Sequence, residues 1–251
     1  MASPQHLLDR LHAIGVSLAT TEHALALIAL GSVGVELDRL DAYSDLDFYV
    51  LAKDGYKAWF LNDLTWLNRI APVAYHFQNT KDGYKVLYQD GVFCEFAVFE
   101  QAELAAMPFS PGRVVWKEPA LDEQMVRPQQ LPRAHTPSVA WALGEALTNL
   151  YVGLGRYHRG EKLSALRFIQ HYAVDRILEL TEHVEAAQAD NRDMFALERR
   201  FEQRFPATSR VIATFMQGYD YSRESARAML AFLEAHFEVN PAIAGAIREL
   251  C

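Results

Sequence analysis

The sequence predicts an α+β domain, a mixed sheet flanked by helices, followed by an all-α helical-bundle domain. Three observations carry that expectation. Up to about residue 118, short apolar runs bounded by turn residues alternate with helical patterns. A stretch holding Pro119, Pro128 and Pro132 then shows little periodicity. From residue 137 onward the apolar spacing is helical throughout. The expected organisation is 1–118 as the first domain, 119–136 as a linker and 137–251 as a helical domain.

Ser3-Pro4 opens the first helix, an N-cap followed by proline at the first helical position, and Leu7, Leu8, Leu11 and Ile14 follow at helical spacing. Ala24 to Leu30 is a continuous apolar run that stops at Gly31, the pattern of a buried strand. Asp47 to Ala52 is a second such run. Tyr56 to Ile70 has a helical pattern rich in aromatics (Trp59, Phe60, Trp66), expected in the core. Val73–Phe77 and Tyr84–Tyr88 read as strands joined through Lys81-Asp82-Gly83. Asp90-Gly91 is a hairpin signal leading into a strand over Val92–Phe99. Gln101–Met107 reads as a short helix and Arg113–Trp116 as an edge strand. Helices are expected near 137–158, 161–188, 191–204, 207–219, 222–238 and 241–250, with Pro206 and Pro241 at helix starts.

Composition narrows the function classes. With 251 residues, 51% hydrophobic and 22% charged, the chain can fill a core and is not of the disordered class. A net charge of −8 with no basic stripe argues against nucleic acid, whose affinity comes largely from phosphate neutralisation. The two cysteines, Cys94 and Cys251, do not make a disulfide framework, and Cys94 is expected in the core. The start, MASPQHLLDR, lacks a signal-peptide pattern, and no apolar run reaches about 18 residues. No membrane association is expected, and the cytoplasm is the expected compartment.

The chemistry concentrates between residues 30 and 47. A buried strand ends at Gly31-Ser32, where glycine allows close backbone approach and a serine hydroxyl with nearby amides can hold a phosphate. Asp45 and Asp47 are two apart at the next strand, so they share a face. Two adjacent carboxylates resist joint ionisation unless a cation joins them. Magnesium suits, because it takes few carboxylates and completes its shell with phosphates. Glu95 is the charged residue inside the 92–99 strand, on the face of Phe93, Ala97 and Phe99. If that strand neighbours the one bearing Asp45 and Asp47, three carboxylates converge, the layout of metal-assisted phosphoryl transfer.

Gly31-Ser32 followed by Ser44-Asp45-Leu46-Asp47-Phe48 resembles the active-site motif of the DNA polymerase β-like nucleotidyltransferase superfamily. With Gly91-Val92-Phe93-Cys94-Glu95-Phe96 and Arg159-Gly160-Glu161, the closer resemblance is to antibiotic nucleotidyltransferases, in particular the longer lincosamide nucleotidyltransferases. The resemblance is tight over 29–50 and 88–104 and loose elsewhere. It implies a nucleotidyltransferase domain and a helical domain closing an acceptor pocket. It implies Mg2+ held by Asp45 and Asp47, with Glu95 as metal ligand or general base. Gly31, Ser32 and Ser44 would contact a nucleoside triphosphate, and Arg159 or Lys162 would lie near substrate or phosphate. The reaction implied is transfer of a nucleotide, AMP from ATP, to a hydroxyl of a small molecule such as a lincosamide or aminoglycoside, with pyrophosphate released. A homodimer is compatible with it. One departure stands out: relatives often carry a basic residue soon after Gly-Ser, whereas Val33-Gly34-Val35-Glu36-Leu37-Asp38-Arg39 is acidic with its arginine late.

Plainer readings stand beside these. Asp45 and Asp47 alone could be solvent-facing strand residues, and Glu95 could discourage edge pairing. Glu100 is a rival third carboxylate, but it begins a helix, where an acid suits the dipole. Arg159 and Lys162 could be charges at a helix junction, and Tyr49 a packing residue. Arg176 and His183 match a loose Arg-x6-His pattern of helical RNases in toxin systems, which chance explains in a chain with this many helical Arg and His. Two rival functions remain: nucleotidylation of a protein or RNA end, as in toxin–antitoxin systems, and a nucleotide-binding regulatory module without turnover.

Overall fold

The computed structural model describes residues 2–132, 137–188, 192–193 and 196–251. Contacts divide it into two compact units, Met1–Pro132 and Arg133–Cys251. The first is a six-stranded mixed sheet flanked by helices, and the second is helical.

Unit one begins with α1 (Pro4–Ala19), capped by the Ser3 hydroxyl, which accepts from the His6 N–H. The strands are β1 (Ala24–Ala29), β2 (Leu46–Ala52), β3 (Val73–Thr80), β4 (Gly83–Tyr88), β5 (Phe93–Phe99) and β6 (Arg113–Lys117). Their order is β3-β4-β5-β2-β1-β6. Among the described residues only β2 and β5 pair in parallel, so a crossover carrying α2 (Lys57–Asn62), α3 (Thr65–Asn68), β3 and β4 separates them. The aromatic stretch 56–70 forms two short helices rather than one. Asp63 breaks it: its carboxylate accepts from the Thr65 N–H and hydroxyl, a local alternative to helical bonding. Trp66 and Phe60 are buried, as expected of core, while Trp59 stays 38% exposed.

Each face of the sheet has its own core. Alternation puts Leu46, Phe48 and Val50 of β2 with Cys94, Phe96 and Val98 of β5 against α1, α2 and α3. On the other face, Ile28, Leu51 and Phe99 pack with Leu104 of α4 (Gln101–Ala106), Phe109, Leu121 and Val126. The first unit therefore runs past residue 118. Leu121 and Val126, read from sequence as linker, are buried because they cover the apolar side of β1 and β2. The linker's end, residues 133–136, lies outside the described residues.

Unit two holds α5 (Val139–His158), α6 (Lys162–Arg167), α7 (Val174–Leu180), α8 (Phe201–Arg204), α9 (Pro206–Phe215), α10 (Ser222–His236) and α11 (Pro241–Leu250). The helix expected over 161–188 is interrupted, since a π-helical turn (Phe168–Ala173) joins α6 to α7 and a 3-10 turn ends it at His183. In that π turn the buried Gln170 amide donates to the Gly218 carbonyl and accepts from the Gly218 N–H, both at 2.8 Å. Residues 191, 194 and 195 of the helix expected at 191–204 lie outside the described residues; its last turn is α8. Among the described residues no helix is long and apolar enough to cross a membrane.

Candidate active site

The parallel register of β2 and β5 sets Asp47 directly opposite Glu95. The antiparallel register of β4 and β5 sets Lys85 on the other side of Glu95. Paired residues project to the same face. Asp47, Glu95 and Lys85 therefore form a row on the face away from α1, α2 and α3. Asp45 falls just ahead of β2 rather than inside the strand, because β2 begins at Leu46. The charges of both aspartates reach Cys94: burial chiefly, with these carboxylates adding, pushes its thiol up to about 12. Tyr49, next on the Asp47 face, packs edge-on to Phe99 and Phe109; burial and then the Asp47 charge raise its phenol.

The turn after β1 lies against Asp47. The Leu30 N–H donates to the Asp47 carbonyl at 2.8 Å, and Gly31 adopts a positive φ of 55°. A Cβ on Gly31 would sit 3.6 Å from the Asp47 Oδ2 atom, an ordinary contact, so the turn's backbone runs directly beside that carboxylate. Gly31–Val33 then makes one 3-10 turn, with Ser32 at its centre and partly exposed. Gly34 is required by closeness: a Cβ there would come within 2.7 Å of the Ala29 carbonyl oxygen. Arg39, the late arginine of the loop, is paired with Glu36.

Glu95 is held on both oxygens. Asn79 Nδ2 donates to Oε1 at 3.0 Å, and Lys85 Nζ lies 3.1 Å from Oε2. Lys85 and Glu95 are each 41% exposed, so this pair orients the carboxylate more than it stabilises the fold. Ser44 closes the Asp41 turn, accepting from the Asp41 N–H and donating to its carboxylate. Glu100 serves the fold: it heads α4 and accepts from the Gly55 N–H at 2.8 Å.

Arg159 and Lys162 belong to unit two. Arg159 ends α5, is 63% exposed and pairs with Glu161 at 3.1 Å. Lys162 pairs with Asp220 at 2.9 Å, and that hydrogen bond holds its ammonium above the ordinary lysine value. Arg176 pairs with Glu179 and lies over the Trp141 ring.

Among the described residues, no group of three or more His, Cys, Asp and Glu side chains is arranged to hold a metal ion. Asp45 and Asp47 remain donors of the type magnesium uses, one or two carboxylates with the other positions left to water or phosphate. The Gly31 turn running beside Asp47 fits that use.

Three contributors escaped the sequence reading. Arg113 on β6 donates from Nε and Nη2 to the Val33 carbonyl, at 3.3 and 2.8 Å, and from Nε to the Gly34 carbonyl at 3.3 Å. It thus brings a basic group to the turn whose own loop is acidic. Asn79 and Lys85 act through sheet order. The Lys85 partnership could have been found by aligning the strands on either side of the Asp90-Gly91 hairpin.

No protein-family model matches the chain, and no curated protein matches it by sequence. Among solved structures it is similar to an aminoglycoside 6-adenyltransferase from Bacillus subtilis, at 12% identity and a TM-score of 0.36, covering 100% of this chain and 92% of that one. It is also similar to the CD-NTase CdnG from Bradyrhizobium diazoefficiens, solved in complex with GTP, at 12% identity and a TM-score of 0.25, covering 99% and 98%. The chemistry is therefore read from this chain's own side chains.

Proposed function

We propose that the chain is a magnesium-dependent nucleotidyltransferase that moves a nucleotide, AMP from ATP, to a hydroxyl of a small molecule of lincosamide or aminoglycoside type. The observation that carries this reading is the placement of Asp47 opposite Glu95, with the glycine turn against Asp47. Carboxylates brought opposite each other across one strand pair, one of them oriented by Lys85 and Asn79, suit joint work on a cation and a proton.

In this reading Asp45 and Asp47 would hold magnesium, which when bound would supply charge neutralisation for the triphosphate and pyrophosphate. The acceptor oxygen attacks the α-phosphorus. A new oxygen–phosphorus bond forms as the bond to pyrophosphate breaks. The hydroxyl proton passes to Glu95, whose oxygens keep acceptor capacity beyond the bonds from Asn79 and Lys85. Gly31 and Ser32 line the triphosphate, and Arg113 keeps their turn in place. Nucleic acid is not a substrate in this reading, given the net charge of −8. The cytoplasm is the compartment where ATP and magnesium meet it.

Mass spectrometry of the acceptor after incubation with ATP and magnesium tests the reading. A gain of one nucleotide monophosphate supports it. An unchanged small-molecule panel beside a nucleotidylated protein or RNA would move the reading to the macromolecular alternative.

A further inference from the structure

The face carrying Asp47 and Glu95 has a second, apolar half. Phe77 lies opposite Lys85, Tyr75 opposite Leu87, and Leu87 opposite Phe93. These side chains therefore continue the carboxylate row toward the β3 edge on the same face. The reverse face of β4 and β5 is sealed through Val86, Tyr88, Cys94 and Phe96, while the edge strand β3 is open on both faces. Around Tyr49 and Ala97 the near face is covered by the core that includes Leu104 and Phe109. Tyr75 and Phe77 are instead 58% and 53% exposed, with Leu87 and Phe93 half-buried beside them. Large apolar side chains left open together mark a binding surface.

We propose that Tyr75, Phe77, Leu87 and Phe93 form the acceptor subsite of this centre, and that it takes a hydroxylated small molecule bearing an apolar ring and no phosphate. The proposal rests on nucleotidyl transfer as the reaction. Three features choose this occupant. The face carries Asp47 and Glu95 against Lys85, whose ammonium is engaged by Glu95, so beyond the magnesium-bound triphosphate a polyanionic acceptor is disfavoured. Phe77 stands two strands from Glu95, a span of about 10 Å, which suits a drug-sized molecule with its hydroxyl at Glu95 and its ring on Phe77. Register shifts at both ends of the β3–β4 pairing, Val73/Tyr75 and Gln78/Thr80, disfavour a second copy adding along the β3 edge.

The test measures pyrophosphate release by the full chain with ATP and magnesium. The acceptors are lincomycin (a thiosugar joined to a propyl-pyrrolidine), streptomycin (polar and cationic) and an RNA hexamer with a free 3′-hydroxyl. Tyr75→Ala and Phe77→Ala are compared with the parent chain, and magnesium-dependent ATP binding and solution mass are followed in each. The expected result is release with lincomycin, an acceptor KM raised about tenfold by each substitution, and an ATP KM unchanged within twofold. An unchanged acceptor KM in both variants, or release with streptomycin or RNA alone, overturns the subsite while leaving nucleotidyl transfer standing. A dimer that either variant dissolves assigns the face to a second copy and overturns it too. No release with any acceptor, with ATP binding intact, removes the transfer reading and the subsite with it.

Discussion

Asp47 and Glu95 are direct partners across the one parallel strand pair of the sheet. Like charges in that position destabilise a sheet by roughly 0.2–1 kcal/mol. Here Lys85 and Asn79 offset the charge of Glu95, so neutralising Asp47 removes the chemistry with little change to the fold. Asp47→Asn is expected to leave the melting temperature within about 2 °C of the parent in the absence of nucleotide and magnesium, and to lower turnover by at least about a hundredfold. Differential scanning fluorimetry checks the first effect; a fall of several degrees would show Asp47 to be a structural residue.

Gly31 is held at φ 55° beside the Asp47 carboxylate. Gly31→Ala puts a side chain into the left-handed region, at a cost of about 1–2 kcal/mol, and narrows the flank of Asp47. The expected result is a modest loss of stability in chemical denaturation with a larger loss of magnesium-dependent ATP affinity, read by calorimetry. Equal affinity in both proteins would separate this turn from the nucleotide.

Arg113 fastens the Val33 and Gly34 carbonyls from β6. Charged hydrogen bonds of this type contribute about 1.5–3 kcal/mol each when lost singly. Arg113→Ala is expected to destabilise the chain by about 2 kcal/mol and to raise the ATP KM more than it lowers kcat. Arg113→Lys, which keeps the charge but loses the fork, should recover only part of the KM. An ATP KM unmoved by either substitution would confine Arg113 to stability.

Asp90 joins the β4–β5 turn to α1. Burial would raise its carboxyl, but hydrogen bonds from His6 and Arg10 outweigh it and hold it below the ordinary value. A depressed carboxyl contributes stability above its unfolded value, about 3.9, and loses it as pH falls through the folded value. Asp90→Asn should thus cost about 1 kcal/mol near neutrality, since Arg10, only 7% exposed, keeps an amide acceptor but loses the carboxylate charge, itself 36% exposed. The difference from the parent should shrink as pH drops below about 4. Urea unfolding at pH 7 and pH 3.5 reads both; a constant gap would place the effect in packing instead.

How far the sequence carried the fold follows from the range of each interaction. β1, β2, β4 and β5 were legible because apolar runs end at Gly31 and Asp90-Gly91, which are local signals. The pairing of β2 with β5 was legible only as a condition: Asp47 and Glu95 are 48 positions apart, and adjacency depends on β3 and β4 forming a hairpin outside them. Arg113 was invisible as a site residue because its partners lie 79 and 80 positions away and are carbonyls, which carry no residue-type signature. Asp63 and the π turn at Phe168–Ala173 were missed for the opposite reason, since the apolar period runs straight through both. Arg159 and Lys162 were read for their charge, and each has an acidic partner in its own unit.

The most direct test is magnesium-dependent pyrophosphate release from ATP, GTP, CTP and UTP across lincosamides and aminoglycosides, with Asp47→Asn and Glu95→Gln run beside the parent chain. Acceptor-dependent release from one nucleotide, abolished by Asp47→Asn and cut at least about a hundredfold in kcat by Glu95→Gln, is the predicted result. Release that survives Asp47→Asn, or folded protein that binds ATP and releases nothing with any pair, would contradict it.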